Sequence, residues 1–185
     1  MGRGTPTTPS GEGGHPEPVR VALLTVSDAG SRGKREDRSG DEVARWCQVE
    51  GYRLVHRELV PDETSRIVPL LLDWADGGEV DVILTTGGTG FTSRDVTPEA
   101  TRAVVERPAR GLAEALVRHG ETSTPFAVLS RGEVGIRGRT LIVNLPGSTG
   151  GVRDGISLLE PLLAHVRELL APGAVSHDPP EESHE

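Results

Sequence analysis

The sequence predicts an α/β domain of the doubly wound type, and three observations carry that expectation. Residues 19–27 (VRVALLTVS), 80–86 (VDVILTT) and 140–145 (TLIVNL) are strand-length runs almost continuous in apolar side chains. Strands buried on both faces of a parallel sheet read this way, whereas half-exposed strands alternate. Segments with apolar residues at helical spacing stand between these runs. The links are short, so strand, helix, strand, helix and strand follow one another as in crossover units with helices on both faces of one sheet.

Each element has its own reason. A polar loop rich in Gly and Arg is expected from the end of the first strand to Arg38. Ser39-Gly40-Asp41-Glu42 then opens a helix to about residue 50, with Ser39 as N-cap, acids in the first turn, Gly51 as the stop, and Val43, Trp46 and Cys47 as its inward face. Residues 52–60 alternate enough for a strand, which Pro61-Asp62 ends. Residues 63–76 place Ile67, Leu70, Leu71 and Trp74 at helical spacing before Gly77-Gly78. Beyond a loop over residues 87–96, Thr97 is expected to cap a helix with Pro98 at its first position, running to about residue 106. Another helix is expected at about 111–119. The run 140–145 is the third buried strand, and residues 156–170 form a closing amphipathic helix interrupted or kinked at Pro161.

Both ends read as tails. Residues 1–18 hold five glycines and four prolines, residues 172–185 are rich in Pro, Glu, Ser and His, and residues 19–171 remain as one domain of ordinary size. The tails also hold −5 of the chain's formal charge of −8. Cys47, the single cysteine, permits no internal disulfide or cysteine metal cage and reads as a buried thiol. No apolar run approaches the roughly 18 residues of a membrane span, and no leader is evident, so a cytoplasmic protein is expected. Arginines interleaved with acids and few aromatics argue against nucleic-acid binding.

Lys34 is the only lysine, and its surroundings GSRGKR do not fit the phosphate-binding pattern G-x-x-x-x-G-K-[ST]. The nucleophile elbow G-x-S-x-G and the zinc motif H-E-x-x-H are absent as well. Chemistry is therefore sought where open α/β sheets bind ligands, at the carboxyl ends of the strands. Polar and glycine-rich residues gather there: Ser27-Asp28, Pro61-Asp62, Thr86-Gly87-Gly88-Thr89-Gly90, and Asn144-Leu145-Pro146-Gly147-Ser148. The glycine loop is either a tight turn or a nest of backbone N–H groups that binds phosphate without lysine. Asp62 and Asp95 each lie shortly after a strand. Either alone can simply make a turn, but two carboxylates beside a phosphate loop point to Mg²⁺ held between them and phosphate oxygens. Asn144 to Ser148 are either a structural turn or a ligand contact, with the Asn144 amide facing a heterocycle edge. Arg131, after Ser130, either binds an anion bidentately or stays on the surface. The cluster Arg32, Lys34, Arg35 and Arg38 reads as a solvated loop or a clamp for a small anion.

Taken together and in order, TVSD (25–28), VPDE (60–63), TTGGTG with RDVTPEA (85–100) and LSRGEVGIRGRTLIVNLPGS (129–148) resemble the molybdenum cofactor biosynthesis family, which includes the MogA and MoaB type proteins and the G domain of gephyrin. The resemblance spans residues 19–171. It implies a three-layer α/β/α fold with a mostly parallel central sheet, assembly as a homotrimer, contact with other proteins of the pathway, and binding of molybdopterin. It further implies transfer of AMP from Mg·ATP to the terminal phosphate of molybdopterin, with Asp62 and Asp95 as catalytic and Mg²⁺-holding residues. Gly87 to Gly90, Thr97-Pro98 and Asn144 to Ser148 would line the pterin and nucleotide pocket, with Ser130 on the pterin side. Two alternatives share the fold: a molybdopterin-binding protein without catalysis, and a nucleotide pyrophosphatase of the competence-damage type.

Overall fold

Among the described residues, six strands form one sheet in the order β2-β1-β3-β6-β5-β4. These are β1 (Arg20–Val26), β2 (Arg53–Val60), β3 (Val82–Thr86), β4 (Arg107–Pro108), β5 (Val134–Arg137) and β6 (Thr140–Leu145). The helices are α1 (Asp28–Ser31), α2 (Arg38–Val49), α3 (Thr64–Asp76), α4 (Thr97–Val104), α5 (Arg110–Glu121) and α6 (Thr149–Leu170), with a 3-10 turn over Pro125–Leu129. The computed structural model describes residues 17–173. The expected tails fall outside that range apart from residues 17, 18, 172 and 173.

β2, β1, β3 and β6 are parallel neighbours, while β5 and β4 add an antiparallel edge. The strand order reverses between β1 and β3, which opens a crevice at their carboxyl ends. Residues alternate strictly across the sheet. Val21, Leu23, Val82, Leu84, Leu141, Val143 and Leu145 face one layer with Val43, Trp46 and Cys47 of α2 and Val152, Ile156, Leu159 and Leu163 of α6. Ala22, Leu24, Val26, Ile83 and Ile142 face the other, against Ile67, Leu71 and Trp74 of α3 and Ala100 and Val104 of α4. The fold is thus the three-layer α/β/α arrangement with a mostly parallel sheet, and the apolar runs read from the sequence are its central strands. Cys47 is buried at 1% exposure, and burial pushes its thiol up to about 12.

Several local expectations change. Asp28–Ser31 closes a short helical turn capped by Ser27, where a plain loop was expected. Asp37, rather than Ser39, caps α2: its carboxylate accepts from Gly40 N–H at 2.9 Å, while Ser39 lies buried against Thr86. Thr97 is the first helical residue of α4 and Val96 is its cap, so the Thr97 hydroxyl is free to donate to the Gly87 carbonyl at 2.9 Å. α4 ends at Val104 because the chain turns into β4. α6 begins at Thr149 and runs without interruption through Pro161, whose ring lies on the exposed face. The carbonyl that loses its partner there, on Ser157, is also exposed, so water can satisfy it. The antiparallel pair of β4 and β5, joined through α5 and the 3-10 turn, had no counterpart in the sequence reading.

Candidate functional site

The carboxyl ends of β1, β2, β3 and β6 converge on two adjoining cavities. One is a polar cleft of about 530 Å³, entered between the loop after α1 and the β3–α4 loop. Ser27, Asp62, Gly87, Gly88, Asp95, Gly147 and Ser148 line it, together with Arg35, Asp37 and Arg38. The other is an apolar cavity of about 300 Å³ beneath α5 and the 3-10 turn, lined by Leu116, Val117, Phe126 and Leu129 among others. Thr89, Gly90, Ser130, Asn144 and Pro146 face this second cavity. Sequence reasoning expected one pocket; the β3–α4 loop and the turn after β6 are instead walls with a cavity on either side.

The β3–α4 loop is held in a shape that only glycine permits at two places. Gly87 has φ +92° and a Cβ there would stand 2.3 Å from the Val26 carbonyl oxygen. Gly88 has φ +61°, and its Cβ would meet Thr97 Oγ1 at 2.3 Å and Asp62 Oδ1 at 2.9 Å. The Gly87 N–H donates to the Leu145 carbonyl at 3.2 Å and so continues the ladder between β3 and β6. Gly90 N–H is turned toward the Asp95 carboxylate. Of Gly87 to Gly90, the amides without an acceptor among the described residues are those of Gly88, which lines the polar cleft, and Thr89, which lines the apolar cavity. Ser148 caps α6, its hydroxyl accepting from Gly151 N–H at 3.1 Å, and sets the positive end of a 22-residue helix at the cleft.

Asp62 and Asp95 approach the cleft from opposite sides. Asp62 Oδ2 accepts from Asp28 N–H at 2.8 Å, and Asp62 N–H donates to Asp28 Oδ1 at 3.3 Å, which ties the ends of β1 and β2 together. Burial, reinforced by the nearby charges of Asp28 and Asp95, raises the Asp62 carboxyl above its ordinary value. Burial also acts upward on Asp95, but hydrogen bonds from the Thr92 hydroxyl (2.6 Å) and N–H (2.8 Å) outweigh it and hold that carboxyl below the usual range. Asp28 is held low by the Arg94 guanidinium, whose two nitrogens each donate to it at 2.9 Å. Arg94 therefore neutralises Asp28 and leaves Asp62 and Asp95 as the unpaired carboxylates of the cleft. Their donor set fits Mg²⁺ shared with phosphate oxygens and water, the usual manner of that ion, and does not form an all-protein cage. No group of three or more His, Cys, Asp or Glu suited to a metal occurs among the described residues.

Other expected site residues prove to be internal struts. Asn144, 4% exposed, donates through Nδ2 to Thr85 Oγ1 (2.9 Å) and Thr101 Oγ1 (2.8 Å), and its Oδ1 accepts from Glu133 N–H at 3.1 Å. Both amide hydrogens are spent, so the amide offers no donor to a heterocycle. Arg131 is equally committed: Nε donates to the Gly90 carbonyl at 2.7 Å, Nη2 to the Asp95 carbonyl at 2.6 Å, and the guanidinium pairs with Glu99. It fixes the β3–α4 loop and leaves no fork for an anion. Thr86, Thr97 and Pro98 are buried and shape the walls from behind. Arg35 makes no ion pair among the described residues, and Arg38 only a weak one with Glu36 at 3.4 Å, so the basic cluster does supply cations to the cleft rim.

Asp37 and Asp154 escaped the sequence reading. Asp37 caps α2, accepts from the Thr25 hydroxyl at 2.9 Å and pairs with Arg57 at 3.0 Å; the spacing Asp-x-x-Gly before an apolar periodic segment was its available signal. Asp154 lines the apolar cavity from α6 and carries no sequence signal of its own.

Known proteins share this fold and sequence. The probable molybdopterin binding domain matches residues 22–165. The molybdenum cofactor synthesis protein cinnamon of Drosophila melanogaster is 39% identical over 155 residues, 83% of this chain but 26% of its own length. A molybdopterin adenylyltransferase of Helicobacter pylori is 34% identical over 82% of this chain and 88% of its own. The crystal structure of the molybdopterin biosynthesis enzyme MoaB of Thermus thermophilus superposes with a TM-score of 0.77 at 46% identity, covering 82% of this chain and 96% of that one. The chain thus spans about a quarter of the Drosophila protein and nearly all of the bacterial ones. With that domain matched over residues 22–165 and a bacterial relative 34% identical over 88% of its own length, the chain belongs to the molybdenum cofactor biosynthesis family of probable molybdopterin binding domains.

Proposed function

We propose that the protein transfers AMP from ATP to the terminal phosphate of molybdopterin, giving adenylylated molybdopterin and pyrophosphate. The observation that carries this reading is the pairing of Asp62 and Asp95 in a polar cleft that shares its walls with an apolar cavity. A flat heterocycle and a triphosphate need these two environments side by side. The heterocycle lies in the apolar cavity near Ser130, and the phosphates lie along the Gly88 amide and the start of α6. When bound, Mg²⁺ held by Asp62 and Asp95 supplies neutralisation of the phosphate charge. The chain's own residues do the positioning: Arg131 keeps the loop in place, Arg94 removes Asp28 from competition, and Arg35 faces the departing pyrophosphate. The attacking phosphate is already ionised, so no strong base is required. Names borne by the bacterial relatives support the same activity.

The proposal includes assembly as a homotrimer and work in the cytoplasm alongside other proteins of the pathway. Exposed Phe126, Val128 and Leu129 beside α5 support self-association, and sedimentation at the mass of a single chain would remove it. No described helix is long and apolar enough to cross a membrane. The decisive test incubates the protein with molybdopterin and Mg·ATP and looks for the adenylylated product by mass spectrometry. Asp95→Asn should leave pterin binding within about twofold and lower turnover by at least about 100-fold. Normal turnover in that variant would overturn the assignment.

A further inference from the structure

Among the described residues, Asp154 is the one titratable side chain lining the apolar cavity; the rest of the wall is aliphatic or aromatic carbon, hydroxyl, main chain and Asn144, whose amide is already committed to Thr85, Thr101 and the Glu133 N–H. It stands near the start of α6, half-buried. Ser123 Oγ donates to its Oδ1 at 3.0 Å, which fixes the carboxylate's orientation. Its Oδ2 has no hydrogen-bond partner, and no Arg, Lys or His pairs with it among the described residues. Neighbouring Arg153 is spent on Glu42 at 2.6 Å. An acid near a helix start gains from the dipole. That gain is available at any exposed position of the first turns, and does not require the carboxylate to face an apolar cavity.

We infer that Asp154 is the specificity-determining residue of this cavity, accepting the paired N–H donors of a 2-amino-4-oxo-pyrimidine edge such as a pterin carries. Ring N–H and exocyclic amino N–H lie side by side on that edge and match two carboxylate oxygens in the manner of a guanidinium fork. Oδ1 keeps a lone pair beyond the one Ser123 uses, so both oxygens can serve. Leu116 and Phe126 give the ring apolar surface, and a cavity of about 300 Å³ holds a bicyclic ring. The inference rests on the pterin site proposed above and names the group that distinguishes a pterin from other flat rings.

The test measures equilibrium binding of two fluorescent probes, 6-hydroxymethylpterin and its 2-oxo counterpart 6-hydroxymethyllumazine, which replaces the amino donor with a carbonyl acceptor. The wild-type protein should prefer the pterin by roughly 10- to 100-fold. Asp154→Asn should bring the ratio near one with an unchanged melting temperature, and Ser123→Ala, which frees the carboxylate without removing it, should retain most of the preference. Should Asp154→Asn fail to fold, Asp154→Ser carries the same comparison. A variant that keeps the wild-type ratio overturns the inference and leaves adenylyl transfer standing, since turnover of molybdopterin is measured separately. A wild-type protein that binds neither probe overturns both this inference and the placement of the pterin. Normal discrimination without adenylyl transfer overturns the proposed reaction alone.

Discussion

Replacing Asn144 by Ala separates two roles that one residue could play. The side chain is 4% exposed and makes three hydrogen bonds, to the hydroxyls of Thr85 and Thr101 and from the Glu133 N–H. Thr85 and Thr101 are both fully buried, so no water replaces what is lost. At about 1 kcal/mol for each bond the loss is about 2–4 kcal/mol, allowing for partial rearrangement. For a domain of this size each kcal/mol lowers the melting temperature by about 2–4 °C, which gives a fall of about 5–15 °C. Thermal unfolding followed by circular dichroism, with pterin binding measured on the same preparations, is the assay. A melting temperature within about 2 °C of wild type together with weakened pterin binding would refute the strut and restore a ligand contact.

Two further outcomes follow from the loop and the cleft. Gly88→Ala must place a Cβ 2.3 Å from Thr97 Oγ1 on a backbone of positive φ, and should cost about 2 kcal/mol or more in chemical denaturation and abolish turnover; normal activity would show that the loop has another accessible shape. Asp62→Asn should raise the melting temperature at pH 7 while abolishing turnover. The folded pKa of Asp62 lies above its unfolded value of 3.8, so its contribution to stability is present below that pH and is lost as pH rises through the folded value. The gap between variant and wild type should therefore close toward pH 3, and a gap that widens on acidification would contradict the raised pKa.

The sequence disclosed elements wherever burial on both faces made the pattern continuous. β1, β3 and β6 are of that kind, and the two aspartates were legible because each follows the end of a strand. β4 and β5 were not, because strands of two and four residues, one containing Pro108 and the other Gly135, are too short to show a period. Arg131 and Asn144 stood in the expected places but with the other of their two readings. A donor-rich side chain near a pocket is written identically whether it faces ligand or protein, and only the distances to Gly90, Thr85 and Thr101 decide. Thr97 was misread as a cap because the helix begins one residue earlier than Pro98 alone indicates. Asp154 was invisible for a different reason: its partner Ser123 is 31 residues away in sequence, and nothing local marks the pair.

The β3–α4 loop, with Gly87 and Gly88 on one cavity and Thr89 and Gly90 on the other, acts as a party wall between two rooms. A substitution in it cannot retune one room alone, and the KM values of both substrates should drift together in any collection of variants that touches it. Asp154 and Arg35 stand on the outer walls, far from that partition in role. Selection for a different ring or a different nucleotide would find separable adjustments there, one substrate at a time.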